Sequence, residues 1–417
     1  VVTLTATADD LTGANGLAGR WSGRGGAVWV ARTEGALRGL DGCRILDLES
    51  RFLAPGAARS AARAAWGLLA GPGPRFHKID STLRGNPGAE IEGFLAATSA
   101  PWVALLPAYP ALGRTVRGGD LFVHGLRLDR SEYAFDPLTP ARVHRVADLF
   151  SGGLCAQIPL AEVAAGGARL RRSLREARAK GARILSFDCT EASHTAAIVG
   201  ACLAEGCRHY AGAADLGAAL AAGVLGPSRP VVRPAVPWLL LAGSVSAVTF
   251  GQLRAFRERG GVWAPRLRRF GRGAWSDAAA SPRELGRLRE ALRREGVAAL
   301  SSLERREDLE AWRKREAARG RDAARSAEEA MRALVEWALR VAGGPGACGW
   351  FVTGGHTLQA LDTAAGFRRL RVDGEILPEV PLGRAEGPQG SAWICSKPGG
   401  FGAADCFNVF SGLGDGR

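Results

Sequence analysis

Short apolar, β-type runs alternate with amphipathic stretches through both halves of this chain, and that alternation restricts the fold more than any other feature of the sequence. Val1–Ala8, Ala27–Ala31, Arg75–Ile79, Trp102–Pro107 and Arg183–Phe187 read as strands, while Ala57–Leu69, Pro87–Ala97, Leu170–Ala179 and Glu191–Glu205 read as helices. Strands separated by helices become neighbours through crossovers, which predicts a largely parallel sheet with both faces covered. Arg117–Leu128 breaks the pattern and reads as a hairpin turning at Gly118-Gly119 or His124-Gly125.

Gly226-Pro-Ser-Arg-Pro, followed by Pro234 and Pro237, interrupts the alternation, because proline cannot continue a helix. The pattern then restarts: strands at Trp238–Ala242, Ala298–Ser301, Gly349–Thr353, Arg369–Val372 and Ser391–Cys395, and a long helix near Ala323–Val341. A chain of 417 residues is long enough for two cores. The expectation is an α/β protein: two α/β domains with largely parallel sheets, residues 1–228 and 238–417 joined by a linker at 229–237, with the active site in a cleft between them.

The formal charge of +14 raises nucleic acid as a partner, but the kind of cation argues against it. There are 51 Arg and four Lys, spread over helices that also carry Glu and Asp, without the interleaved aromatics that stack bases. A chain that writes Arg for any generic cation keeps Lys where a compact ammonium matters. Lys180 and Lys314 fall in Arg-rich helical surface stretches; Lys78 and Lys397 fall in polar, glycine-bearing segments beside strands.

Eight scattered cysteines with no C-x-x-C pair indicate neither a zinc site nor a disulfide framework. The N-terminal run has no basic region or small-residue cleavage site, and no segment reads as membrane-spanning, so a cytoplasmic protein without membrane or nucleic-acid partners is expected.

Six segments carry the candidate chemistry. Ala8-Asp-Asp-Leu-Thr-Gly-Ala14 ends a strand with Asp9, Asp10 and Thr12, placed either to hold substrate hydroxyls and take a proton or simply to cap the next helix. Phe76 to Asn86 brings Lys78, Asp80, Ser81, Arg84 and Asn86 ahead of Pro87 at a helix start, where Lys78 and Arg84 suit a small carboxylate. Leu106 to Thr115 is a rigid turn with Tyr109 and Arg114 at its exit. Ala242 to Ser246, containing Ser244 and Ser246, and Val352 to Thr357, containing Thr353, Gly354, Gly355, His356 and Thr357, are strand-to-helix turns exposing amides and hydroxyls as phosphates require. Ser396 to Gly402 sets Lys397 beside Gly399, Gly400 and Gly402, which let a ligand approach the backbone. No Walker A or dinucleotide fingerprint occurs, which disfavours a dehydrogenase.

Taken in order, ADDLTGAN (8–15), KIDSTLRGN (78–86), LPAYPALGRT (106–115), AGSVSAVTFGQL (242–253), TGGHT (353–357) and SKPGGFG (396–402) resemble the four-carbon acid sugar kinases over nearly the whole chain. The resemblance implies an N-terminal sugar-acid-binding domain and a C-terminal nucleotide-binding domain acting on threonate, erythronate or 3-oxo-tetronate type acids. It implies that the first three motifs contact the acid, and that Ser244 or Ser246, Gly354 to Thr357 and Gly399 to Gly402 contact ATP. Gly16 and His356 stand where many relatives have acidic residues.

The expected reaction is phosphoryl transfer from Mg²⁺–ATP to a hydroxyl of the acid. Lys78, Arg84 and the Asp9–Asp10 loop hold the acid, Lys397 and Mg²⁺ neutralise phosphate charge, and Asp10, before Asp80, takes the hydroxyl proton. The metal's ligands are left open, as is a homo-oligomer. The rival from another class is a catalytically altered binding or effector protein, suggested by Gly16 and His356.

Overall fold

The computed structural model describes residues 2–69, 71–135, 139–265, 282–303, 305 and 307–410. Val1, heading the first expected strand, and residues 411–417, closing the second expected domain, lie outside the described residues. The chain divides into two compact units, Val1–Arg229 and Pro230–Arg417.

In the first unit, β1 (Thr5–Ala8), α1 (Leu11–Trp21), β2 (Val28–Ala31), β3 (Cys43–Asp47), α2 (Pro55–Leu68), β4 (Arg75–Lys78), α3 (Pro87–Thr98) and β5 (Val103–Leu106) follow one another. A small antiparallel sheet, β6 (Arg114–Arg117), β7 (Asp120–Val123) and β8 (Leu126–Arg127), interrupts the series. It continues with β9 (Cys155–Ile158), α4 (Leu160–Ala165), α5 (Gly167–Ala179), β10 (Ile184–Phe187), α6 (Ala192–Ala204), β11 (His209–Gly212) and α7 (Ala214–Leu225).

The large strands order as β2-β3-β1-β4-β11-β5-β10-β9, all parallel. From β1 the chain first builds to one side, through β2 and β3, and then crosses to β4 on the other. The β1/β4 edge is therefore a topological switch point, where open parallel sheets leave a crevice beyond their strand ends. Strands β1, β5 and β10 are buried at every position, as helices on both faces require.

Packing aims α1 at that crevice. Trp21, wholly buried, donates its indole N–H to Gly217 O on α7 at 3.0 Å and meets Phe76 of β4 edge-on at 6.1 Å. Gly217 is required there, because a Cβ would lie 2.2 Å from Leu17 Cδ1. Truncating Trp21 to Ala would cost roughly 3–5 kcal/mol by cavity formation.

Both hairpin turns considered from sequence form: Gly118 and Gly119 (φ 60° and 82°) join β6 to β7, and His124 and Gly125 (φ 48° and 82°) join β7 to β8. Asp188 fixes the first of these, accepting from the Gly118 and Gly119 amides at 2.9 Å each.

The second unit runs β12 (Trp238–Ala242), α8 (Ala247–Glu258), β13 (Trp263–Pro265), α9 (Pro282–Glu295), β14 (Val297–Ser301), α10 (Glu307–Ala318), α11 (Ala323–Ala342), β15 (Gly349–Thr353), α12 (Gly355–Ala365), β16 (Arg369–Leu377), β17 (Val380–Gly387) and β18 (Gly390–Lys397). Its order is β13-β14-β12-β15-β18-β17-β16. The part from β13 to β18 is parallel, with a second switch point between β12 and β15, whereas β16, β17 and β18 form an antiparallel meander. Phe351 stacks on Phe410 with centroids 4.6 Å apart, Trp238 meets Phe410 edge-on at 4.8 Å, and Phe407 meets Phe351 edge-on at 5.3 Å. This cluster anchors the 406–410 turn beneath the end of β18.

The strands β3, β9, β11, β13 and β17 have no counterpart in the expected pattern, and β16 is longer than the expected Arg369–Val372. β9 and β11 are four residues each (CAQI and HYAG), and β17 contains Pro381, Gly383 and Gly387. Pairing on both sides at β11 and β17, and with β10 along one edge at β9, is supplied only by the assembled sheet and overrides such weak local preference.

Candidate active site

The first unit gathers its charged residues at the carboxyl ends of β1, β3 and β4. Asp10 caps α1: its Oδ1 accepts the Gly13 amide at 2.8 Å and its Oδ2 the Thr12 hydroxyl at 2.6 Å. Arg51, in the turn after β3, binds the paired carboxylates together, donating to Asp10 Oδ2 at 2.7 Å and from both Nε and Nη2 to Asp9 Oδ2 at 2.8 Å. Its Nη2 also lies 3.6 Å from Asp80 Oδ1.

Asp80 is the most heavily engaged carboxylate. Arg84 grips it in a fork, Nε to Oδ2 and Nη2 to Oδ1 at 2.9 Å each, and the Thr82 amide and hydroxyl donate to Oδ2. Lys78, 7% exposed, donates to Ile79 O at 2.7 Å, and its ammonium lies under α1. A Cβ on Gly13 would come within 3.1 Å of it, so the glycine of ADDLTG makes room for this cation.

Electrostatics separate these carboxyls. Burial pushes Asp10 and Asp80 upward, but their cations outweigh it: Arg51 and Lys78 hold Asp10 low, and Arg84 and Arg51 hold Asp80 well below the usual range. At Asp9 burial wins over Arg51, and the carboxyl rises to about 6. Asp47, at the end of β3, is likewise pushed well above the usual range by burial.

The second and third motifs meet on a residue with no motif of its own. The Tyr133 ring lies 5.2 Å from the Arg84 guanidinium and 5.7 Å from that of Arg114, and its hydroxyl accepts from Arg114 Nη2 at 2.8 Å. Tyr109 accepts from Arg20 of α1. Asn86 spends its side-chain amide on Ser50 O and Leu53 O, tying the Arg51 turn to the start of α3, and Ser81 is half-buried at the head of the loop. Beneath them, His77 bridges Thr7 Oγ1 (2.7 Å) and Glu90 Oε2 (3.2 Å), and Ser50 donates to Glu90 Oε1 at 2.6 Å.

The second unit builds a neutral cradle. Ser246 caps α8, and its hydroxyl donates to Gly399 O at 2.6 Å, where Thr249 also donates at 2.9 Å. Gln252 Nε2 reaches the carbonyls of Phe401, Gly402 and Ala403, so one face of α8 holds the whole glycine loop. Gly354, at φ 101°, starts α12 and donates its amide to Lys397 O at 3.0 Å. Gly355 opens the helix, His356 is exposed in its first turn, and Thr353 and Thr357 are buried, facing Thr249 and Met331.

Ser244 sits where these turns meet. A Cβ on Gly399 would fall 1.9 Å from its Oγ, and one on Gly354 would fall 3.4 Å from its Cβ; Gly400 has open space. Its Oγ accepts the Ser246 amide at 3.3 Å. Of the two serines left open by sequence, Ser246 is spent on the cap and the loop carbonyl. Ser244 has no acceptor for its own proton among the described residues.

Lys397 is 1% exposed, donates to Pro398 O at 3.2 Å and lies 5.9 Å from the Phe407 ring centre. No carboxylate pairs with it among the described residues, and burial pulls its amine down to about 8. A buried ammonium balanced only by carbonyls and a ring is poised for an anion.

Sequence reasoning did not single out Arg51, Asp47, Tyr133 or the His77–Glu90 pair. Only their approach to the motifs distinguishes them, and nothing in their local sequence signals it.

Residues 4–223 match the family model described as sugar-binding N-terminal domain, and residues 239–407 match that described as nucleotide-binding C-terminal domain. The chain is 33% identical to a D-threonate kinase of Cupriavidus necator over 95% of this chain and 94% of the relative. It is 29% identical to a 3-oxo-tetronate kinase of Pseudomonas savastanoi pv. phaseolicola over 97% and 95%. A crystal structure from Salmonella typhimurium LT2, at 22% identity, shares the fold with a TM-score of 0.79 over 98% of each chain. With both domain models matched in order and a relative aligned along almost the full length, the chain belongs to the four-carbon acid sugar kinase family.

Proposed function

We propose that the protein transfers the terminal phosphate of ATP to a hydroxyl of a small four-carbon acid sugar of the threonate, erythronate or 3-oxo-tetronate class. The observation that carries this reading is Lys397, a buried ammonium with no carboxylate partner among the described residues, set beside three glycine and hydroxyl turns. Such a cation gains most from an anion that brings its own charge, as a nucleotide phosphate does. The Ser244 hydroxyl and the amides of Gly355 to Thr357, Gly399, Gly400 and Gly402 take the remaining phosphate oxygens, the Gly354 and Phe401 amides being spent on Lys397 O and Pro398 O.

In the first unit, Lys78 has two further N–H bonds to give beyond that to Ile79 O, and with Ser81 it receives the acid. Thr12, Asp80, Arg84, Asn86, Tyr109 and Arg114 frame that site, and one carboxylate of the Asp9–Asp10 pair accepts the hydroxyl proton. The transfer itself is governed by positioning and charge neutralisation.

Magnesium in kinases is held mainly by phosphate oxygens and water, with one or two carboxylates. The three turns offer amides and hydroxyls without a carboxylate, and no metal-holding cluster of His, Cys, Asp or Glu occurs among the described residues. These residues fit phosphate and do not form a metal cage, so no step is assigned to the ion. Nothing observed at Gly16, buried within α1, or at exposed His356 favours the non-catalytic binding reading.

An ADP-release assay with Mg²⁺–ATP against four-carbon sugar acids and their oxo forms tests the proposal, with Lys78→Ala beside the wild type. Turnover of one acid, with its KM raised at least about tenfold in the variant, is expected. A flat panel from an enzyme that still binds ATP overturns the reading.

A further inference from the structure

We infer that Asp9, rather than Asp10 or Asp80, is the residue that removes the proton from the substrate hydroxyl. This rests on the phosphotransfer reading above and identifies the base within that site.

The argument is an accounting of acceptors. Asp10 has both oxygens engaged, Oδ1 by the Gly13 amide and Oδ2 by Thr12 and Arg51. Asp80 has both engaged by Arg84, with Thr82 added on Oδ2. Asp9 takes both Arg51 bonds on Oδ2, and its buried Oδ1 receives no donor among the described residues. A buried carboxylate oxygen left without a donor is costly, and a substrate hydroxyl is the donor that would satisfy it.

The backbone holds Asp9 in place without using its side chain. Its amide donates to Lys78 O, and its carbonyl accepts from the Ser50 and Arg51 amides. The groups facing it are Arg51 after β3, Asp10 at the α1 cap, Lys78 on β4, Glu90 on α3 and Asp47 on β3. Burial, aided by Asp10 and Glu90 and opposed by Arg51 and Lys78, brings the carboxyl to about 6, close to a working pH, whereas Asp10 is held low and is the weaker base.

In the step, the substrate O–H proton passes to Asp9 Oδ1 as the oxygen forms a bond to the γ-phosphorus. The bond from that phosphorus to the β–γ bridging oxygen breaks, ADP leaves with the electron pair, and Asp9 later loses the proton to solvent.

The test is the pH profile of kcat/KM for the best acid of the panel in the wild type, Asp9→Asn and Asp10→Asn, with calorimetric binding of acid and ATP and a melting curve for each. The wild-type rate should rise through pH 6 and level above it. Asp9→Asn should lose at least about 100-fold in kcat while still binding both ligands. Asp10→Asn should lose less kcat than Asp9→Asn and move the limb to lower pH, because the Asp10 charge raises Asp9.

A folded Asp9→Asn enzyme with near wild-type kcat overturns the inference, as does an Asp10→Asn enzyme that is inactive while binding both ligands. Should Asp9→Asn not fold, the wild-type limb and the direction of its shift in Asp10→Asn still decide. No turnover of any acid by the wild type overturns instead the kinase reading beneath it.

Discussion

The two units place their candidate site residues at the same topological position, the switch point of a parallel sheet, yet fill it with opposite chemistry. In the first, Asp9, Asp10 and Asp80 interlock with Arg51 and Arg84, and the Lys78 ammonium acts on Asp9 and Asp10 through its field. In the second, hydroxyls, amides and glycines surround the single ammonium of Lys397. The first is preorganised by ion pairs that offset most of one another's charge, with Asp9 Oδ1 left without a donor among the described residues. The second leaves its one charge unanswered, which the phosphates of the proposed nucleotide would answer. A small acid carrying one negative charge and several hydroxyls suits the former, and a polyanion suits the latter.

Breaking the ion-pair hub should have the largest effect. Arg51→Gln leaves Asp9 and Asp10 buried without their main cation, and a loss of about 3–5 kcal/mol in unfolding free energy is expected from denaturant melts. Lys397→Met strikes the unanswered charge and should cut kcat by about 10²–10³-fold. Its melting temperature at pH 7 should hold or rise, in contrast to Arg51→Gln. The sign follows from burial: Lys397 is depressed from 10.5 to about 8, so the folded state is penalised for its charged form below 8, and wild-type stability recovers as pH rises from about 8 toward 10.5. A Lys397→Met protein that melts far lower at pH 7 would place Lys397 in the structural class with Arg51.

Gly399→Ala should raise the ATP KM at least about tenfold and leave the acid KM alone, because the added methyl collides with Ser244 Oγ. Equal effects on both substrates would blur the division of labour between the units. The smallest change expected is Ser246→Ala, which removes a helix cap and one anchor of the glycine loop for roughly 1 kcal/mol of stability. Ser244→Ala should cost less stability and more nucleotide affinity, and the reverse ranking would exchange the two serines.

Much of this was legible in advance where local chemistry and backbone geometry coincide. Asp10 reads as a cap or a site residue from its place after a strand, and it is a cap whose carboxylate also enters the charged corner. Gly354 reads as part of an amide-exposing helix start and Gly399 as a close-approach glycine, and the positive φ of one and the contact with Ser244 at the other show why glycine stands there. β17 was not legible, since Val-Pro-Leu-Gly-Arg-Ala-Glu-Gly has little preference for a strand until β16 and β18 flank it.

The sequence by itself determined the alternation that builds two α/β units, the motifs at their strand ends, and the rarity of lysine that marks Lys78 and Lys397. Tertiary structure alone decided what those motif residues do with their hydrogen-bonding capacity. Arg51 reaches Asp9 across 42 residues because β3 lies beside β1 in the parallel sheet. Tyr133 unites Arg84 with Arg114 because its ring lies against both guanidiniums. Whether a carboxylate is spent or available depends on neighbours in space, and in a parallel sheet those neighbours come from crossovers that sequence spacing does not encode.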